Sequence, residues 1–198
     1  MTTTLRAALL IAAAAVLAAC SSMPPPPDWQ LNAQGALERA QDAYLSGQGR
    51  IEEVEFARAR AEVARTGRAD LLARLELVRC APRVASLVFE PCAGFDAWQM
   101  DAAPPEQAYA RYLQAQAAAG DAALLPPPHR PLLAPQAGGA QLAAIEDPLS
   151  RLVAAGVLLR GNRADAQTIA RAIDAASLTS RGREARTFSI CITISSAL

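Results

Sequence analysis

The stretch WQLNAQGALERAQDAYLSGQGRIEEVEFARARAEVARTG, residues 29–67, decides the fold. Leu31, Ala36, Leu37, Ala40, Tyr44 and Leu45 recur at the spacing of one helical face, and Ser46-Gly47-Gln48-Gly49 ends the run. A second helix is predicted over residues 51–65. Its apolar side holds Ile51, Val54, Ala57 and Ala61, widened by Phe56, Ala59 and Val63, and Thr66-Gly67 is the stop signal. Two helices joined by so short a turn form an antiparallel hairpin.

The same periodicity continues downstream. A third helix begins near Ala69 and carries Leu71, Leu72, Leu75, Leu77 and Val78, with Asp70 and Arg74 as a favourable i,i+4 pair. Pro82 lacks an N–H and clashes with the preceding turn, so it is expected to kink this helix or end it near Cys80. Val84, Leu87, Val88 and Phe89 extend the apolar pattern before a turn at residues 90–94. Residues 101–120 read as another helix, opened by Pro104 and Pro105 and stopped by Gly120, with Tyr109, Tyr112 and Leu113 inside. Residues 29–120 thus form an N-terminal helical region.

Residues 121–140 form a Pro-rich loop without periodicity, holding Pro126, Pro127, Pro128, Pro131 and Pro135. A loop this long is functional or disordered, and its composition favours disorder. A C-terminal helix hairpin is expected over residues 141–177. It comprises a short helix over residues 141–146, then a helix started by Asp147-Pro148 and ended by Gly161, with Leu149, Leu152, Val153, Gly156 and Leu159 on one stripe. Asn162, with Asp165 three residues on, is the expected cap of the last helix, whose apolar edge is Ile169, Ala172, Ile173 and Ala176.

Residues 178–198 read as an irregular tail. Phe188, Ile190, Ile192 and Ile194 alternate with polar residues at strand period, yet the chain offers no second strand to pair with. Pairing with another chain, a disordered apolar tail, and a truncation or frame change near Leu178 compete, and the last two together are favoured. The fold class expected is therefore all-α: antiparallel helix hairpins in a small bundle or short solenoid-like array, with a disordered or unpaired C-terminal tail. The pair over residues 34–65 resembles a tetratricopeptide-like unit, with Ala36, Tyr44 and Ala57 at its small and aromatic places. The resemblance covers one repeat and does not recur after Gly67.

Composition excludes several chemistries. Apolar residues make up 52% but aromatics only 5%, so the core is expected to rest on Leu, Val, Ile and close Ala contacts. Formal charge is zero, which gives no electrostatic case for nucleic acid. All 19 basic residues are Arg, so a Walker A loop, a Ser-Lys dyad and a Schiff-base lysine are impossible. His129 is the single His, which excludes a site with two His ligands. Neither Gly-x-Ser-x-Gly nor Gly-x-Gly-x-x-Gly occurs, and no nucleotide, metal or other cofactor is expected.

The N-terminus supplies an address. Residues 1–19 have a single charge at Arg6, an apolar run from Ala7 to Val16 and small residues before a cut, the layout of a secretory leader too short to span a bilayer. Leu17-Ala18-Ala19-Cys20 resembles the lipobox of bacterial lipoproteins, and the chain is similar to the short helical lipoproteins of proteobacteria. The resemblance implies lipidation of Cys20 as the mature N-terminus. Ser21 after it implies the outer membrane, facing the periplasm. Several acyl chains on one residue would hold the protein there almost permanently. An ordinary leader with a free Cys20 thiol is the competing reading. Residues 20–28, with four consecutive prolines, form a stiff tether. In an oxidising periplasm Cys80 and Cys92 form a disulfide, closing a loop that stabilises by roughly 3 kcal/mol; two buried free thiols are the alternative. Cys191 is left over.

Candidate site residues are few. Glu52, Glu53, Glu55 and Glu62 suit acid–base work on sugars, but flanking Arg58, Arg60 and Arg65 favour a solvated charged face. His129, within Pro-Pro-Pro-His-Arg-Pro, lacks the orienting partner and rigid setting that a catalytic His needs. Trp29, Trp98, Tyr109 and Tyr112 line a groove or pack in the core. The reading that follows is a non-enzymatic, membrane-anchored interaction or envelope-assembly module, partnered by the membrane through Cys20 and by another envelope protein. The alternatives are a cell-wall turnover enzyme using a Glu such as Glu62 as general acid, and a hydrophobic-ligand carrier with an apolar cavity between helices.

Overall fold

The structure, a computed structural model, describes residues 25–185, the side chains of 181–185 excepted. The leader, Cys20, most of the proline tether, the alternating segment 188–194 and Cys191 lie outside the described residues. Among those described, the chain is all-α: eight α-helices and two 3₁₀ segments, with no strand. Helix α1 (Asp28–Leu45) turns through Gly47 into α2 (Gly49–Ala64), which turns through Gly67 into α3 (Ala69–Ala85). A one-turn helix α4 (Ala93–Asp96) leads to α5 (Pro104–Leu113). The 3₁₀ segments Ala119–Leu124 and Pro127–Leu133 follow, then α6 (Gly139–Ala143), α7 (Pro148–Arg160) and α8 (Ala166–Ala185).

Two apolar clusters share α3. Leu71, Leu72 and Leu75 join Ala33, Ala36, Leu37, Ala40, Phe56, Ala59 and Val63 of the α1–α2 hairpin. Ala73, Leu77, Cys80, Ala81 and Val84 join the larger cluster with α5, α7 and the 3₁₀ segments. Trp98 packs against both. Helix α7 is the centre of the larger cluster, buried without interruption from Val153 to Leu158. The small residues let backbones approach: a Cβ on Gly156 of α7 would overlap the Val84 carbonyl oxygen of α3. The Cys80–Cys92 disulfide, with Cα atoms 5.8 Å apart, ties the last turns of α3 to the start of α4.

Four helices end in one shared device. After α1, α3, α5 and α7 the residues Gly47, Leu87, Ala115 and Asn162 take positive φ. Each turn is closed by paired backbone bonds, for example Gln48 N–H to the Ala43 carbonyl and Gly47 N–H to the Tyr44 carbonyl. This is the Schellman arrangement, which satisfies carbonyls left open at the helix end. Gly and Asn suit the left-handed position, whereas Leu87 and Ala115 adopt it at a steric cost.

The structure corrects several boundaries and faces. Helix α3 runs through Pro82 to Ala85, because Ala81, Pro82 and Val84 are buried and the disulfide holds the turn at Cys80. The helix expected over residues 101–120 is only Pro104–Leu113, stopped by the left-handed turn at Ala115 rather than by Gly120. Residues 119–133 are ordered 3₁₀ turns, not disordered loop, since Leu125 and Leu132 are core side chains. The hairpin does not end at residue 177, as α8 continues to Ala185. Its cap is Asp165, whose Oδ1 accepts from Thr168 N–H at 2.6 Å, while Asn162 closes the previous helix. The expected cap of α7 is present: Asp147 Oδ2 accepts from Ser150 N–H at 2.5 Å.

The buried face of α2 also differs from expectation. Ile51 and Val54 are about half exposed, at 49% and 48%, whereas Glu52 and Glu55 are buried beside Phe56, Ala59 and Val63. The carboxylates tolerate burial because each has arginine partners. Glu52 accepts from Arg79 of α3 at 2.7 Å, with Arg83 adding a contact at 3.3 Å. Glu55 accepts from Arg39 of α1 at 2.8 Å and from Arg58 at 2.5 Å. The Arg79 hydrogen bond and charge hold Glu52 below the usual carboxylate range despite its burial. The predicted Asp70–Arg74 pair is replaced: Asp70 bonds Arg68 at 2.5 Å and Arg74 reaches across to Glu106 of α5.

Substitutions at two positions should have opposite signs. Gly156→Ala drives a methyl into the α3 backbone and should lower unfolding free energy by about 1–3 kcal/mol. Leu87→Gly removes left-handed strain from an exposed residue and should raise it by about 1 kcal/mol. Denaturant midpoints of the two variants check both expectations.

Candidate functional site: an apolar cleft beside α3

One face of α3 places Arg74, Leu77, Val78, Ala81 and Pro82 in line, at helical spacing. Across from it stand Glu106 and Tyr109 of α5 and the Leu124–Arg130 segment with its three prolines. Leu149, Ser150 and Val153 of α7 and Gln41 of α1 complete the walls. They enclose a largely apolar cleft of about 280 Å³. That is the small end of the range for small-molecule sites, roughly 300–1,000 Å³. The Pro126–Pro128 run forms its wall because a 3₁₀ turn starts at Pro127, where a missing N–H costs little.

Two acidic or amide side chains lie at this cleft nearly out of reach of water. Glu106 is 4% exposed and Gln41 7%. Arg74 Nε donates to Glu106 Oε1 at 2.7 Å, and Arg74 Nη2 donates to the same oxygen. Glu106 Oε2 and Gln41 Oε1 are buried with no hydrogen-bond partner. Buried acceptors in folded proteins are almost always satisfied, so two unsatisfied ones in one cleft call for a reason.

His129 also lines the cleft, and the structure corrects its predicted setting. It is buried in an ordered turn, and its Nδ1 lies 3.0 Å from the Tyr112 hydroxyl. The Tyr109 ring stacks on Tyr112 at 5.8 Å, and the His129 ring lies 5.1 Å from that of Tyr112. Burial pushes His129 down to about 4 and Tyr112 well above its usual value. Both are therefore neutral at pH 7, and the imidazole tautomer sets which of the two, the phenol or Nδ1, donates in their hydrogen bond.

The other residues singled out by sequence lie elsewhere. Glu62 sits on α2, bonded to Arg65 at 2.9 Å, and is not part of the cleft. Glu53 is exposed, while Glu52 and Glu55 form the interhelical ion pairs already described. Trp98 wedges between the two clusters with Arg60 6.0 Å above its ring, and Trp29 packs against the smaller cluster. Tyr109 does line the cleft. Among the described residues no three His, Cys, Asp or Glu side chains gather as a metal site, and no helix is long and apolar enough to cross a membrane. Sequence reasoning missed Glu106, Arg74 and Gln41 as cleft residues. The one signal available was the Pro-rich stretch, whose length alone suggested function or disorder. Comparison with family models, with curated proteins and with solved structures gave no match.

Neutral burial of His129 sets a pH dependence. Its folded pKa lies below its unfolded value, so the unfolded chain binds the extra proton between about pH 6.5 and 4. Stability from this group is complete above that window and is lost as pH falls through it, by about 3 kcal/mol at pH 4. Urea unfolding of wild type and His129→Gln at pH 7 and pH 4 should show the variant losing less stability by about that amount.

Proposed function

We propose that this chain is a lipid-anchored, periplasm-facing module of the bacterial outer membrane that works by binding rather than by catalysis. The apolar cleft beside α3 carries the binding part of the reading. Its walls come from five parts of the chain, and each of its charged lining residues makes a hydrogen bond within the fold: Arg74 with Glu106, Arg130 with the Leu125 carbonyl and Asp147 as a helix cap. The address rests on the likeness of Leu17-Ala18-Ala19-Cys20 to a lipobox, and the Cys80–Cys92 disulfide agrees with an oxidising compartment. The module either docks another envelope protein or carries a small hydrophobic ligand. The cleft favours the carrier, because its volume suits a small molecule better than a helix or strand.

Two measurements test this. Membrane fractions of cells making Cys20→Ser should lose the protein to the soluble periplasm or retain it as unprocessed precursor, whereas wild type sediments with the outer membrane. Native mass spectrometry of wild type released from the envelope should show a low-mass adduct, and Leu149→Trp, which fills the cleft, should lack it. Cys20→Ser that is processed to mature size and still sediments with the outer membrane refutes the anchor; an adduct-free wild type refutes the carrier.

A further inference from the structure

We propose that the cleft takes a small, uncharged, mainly apolar molecule that presents N–H or O–H donors to the acceptor oxygens of Glu106 and Gln41. The inference rests on the binding reading above and names the chemistry of its ligand. Both side chains are more than nine-tenths buried, both line the cleft, and each has an oxygen without a partner. Both orphan atoms are acceptors, so what completes them must donate. The oxygens are closed to solvent, so a donor reaches them only with a small shift of the surrounding cleft wall, and Arg74 on Glu106 Oε1 leaves Oε2 as the oxygen still to be completed.

Charge decides against an ionic head group. The ionised residues of the lining are Arg74, Arg130, Glu106 and Asp147, which sum to zero, and His129 is neutral at pH 7. Each charged group also has its own partner. Arg74 holds Glu106, Arg130 donates to the Leu125 carbonyl at 2.8 Å, and Asp147 accepts from the Ser150 N–H. Arg74 and Glu106 already compensate each other's charge, so a cation or an anion entering the cleft would be desolvated without an uncompensated opposite charge to meet it. A neutral amide or alcohol avoids that cost and still satisfies the acceptors. Its apolar body would lie against Leu77, Val78, the Pro126–Pro128 wall and Val153.

Titration calorimetry on the full chain in lipid nanodiscs, with empty nanodiscs as blank, tests the proposal. The probes are heptanamide, N,N-dimethylheptanamide, which has the same body but no N–H, and heptanoate. Heptanamide should bind about ten-fold tighter than its dimethyl analogue, and tighter than heptanoate. Gln41→Leu should narrow the gap between the two amides, and Leu149→Trp should remove binding, with helical circular dichroism reporting that each variant folds. Equal affinity of the two amides overturns the donor requirement while leaving an apolar binding cleft. Tighter binding of heptanoate than of heptanamide overturns the uncharged class. Absence of binding by every probe to folded wild type overturns the cleft reading itself, as does binding that survives Leu149→Trp.

Discussion

Helix α3 is buried along two faces at once, and the rest of the described fold is arranged around that requirement. Leu71, Leu72 and Leu75 need the α1–α2 hairpin, while Leu77, Cys80 and Val84 need α5, α7 and the 3₁₀ turns. A helix apolar on two sides can be satisfied only between two layers. With few aromatics, the layers must come close to bury enough surface. Alanines in α1 and α2, and Gly156 against the Val84 carbonyl, provide that approach.

What remains of the α3 surface is charged, and it sets register. Arg74, Arg79 and Arg83 leave α3 toward Glu106 on α5 and Glu52 on α2. Arg79 and Arg83 also lie over the Phe56 and Tyr44 rings, at 4.4 and 4.8 Å, so their stems and planes cover apolar surface. Buried ion pairs are a poor source of net stability, because desolvation offsets much of the attraction. Their effect here is selective: a slip of α2 against α3 would leave Glu52 buried without a partner. Leu and Ala contacts supply the drive to pack, and the arginines choose one packing among several.

The cleft is a by-product of the same arrangement. Arg74 reaches across to Glu106, and the prolines at 126–128 wall off the space between α3 and α7. Pro-rich segments do not need to be loose. Here Leu125, His129 and Leu132 anchor the segment at intervals, and the Tyr112–His129 bond closes its middle. Burial keeps that ring neutral, which suits an apolar wall better than a charged one.

The sequence by itself determined the helices, because apolar spacing, Gly47, Gly67 and Asp147-Pro148 act through backbone geometry within a few residues. It also carried the cysteine pair and the exclusion of lysine chemistry and of sites with two His ligands. Tertiary structure decided which face of α2 is buried. Glu52 and Glu55 look like a solvated stripe until Arg79 and Arg39 arrive from other helices. It decided where α5 stops as well, since Ala115 carries no local signal for a left-handed turn. It brought Glu106, Gln41, Arg74 and the proline run to one cleft from positions far apart in sequence. Local rules set dihedral angles over short spans; the pairing of charges and the enclosure of a cavity depend on long-range packing, which no short stretch encodes.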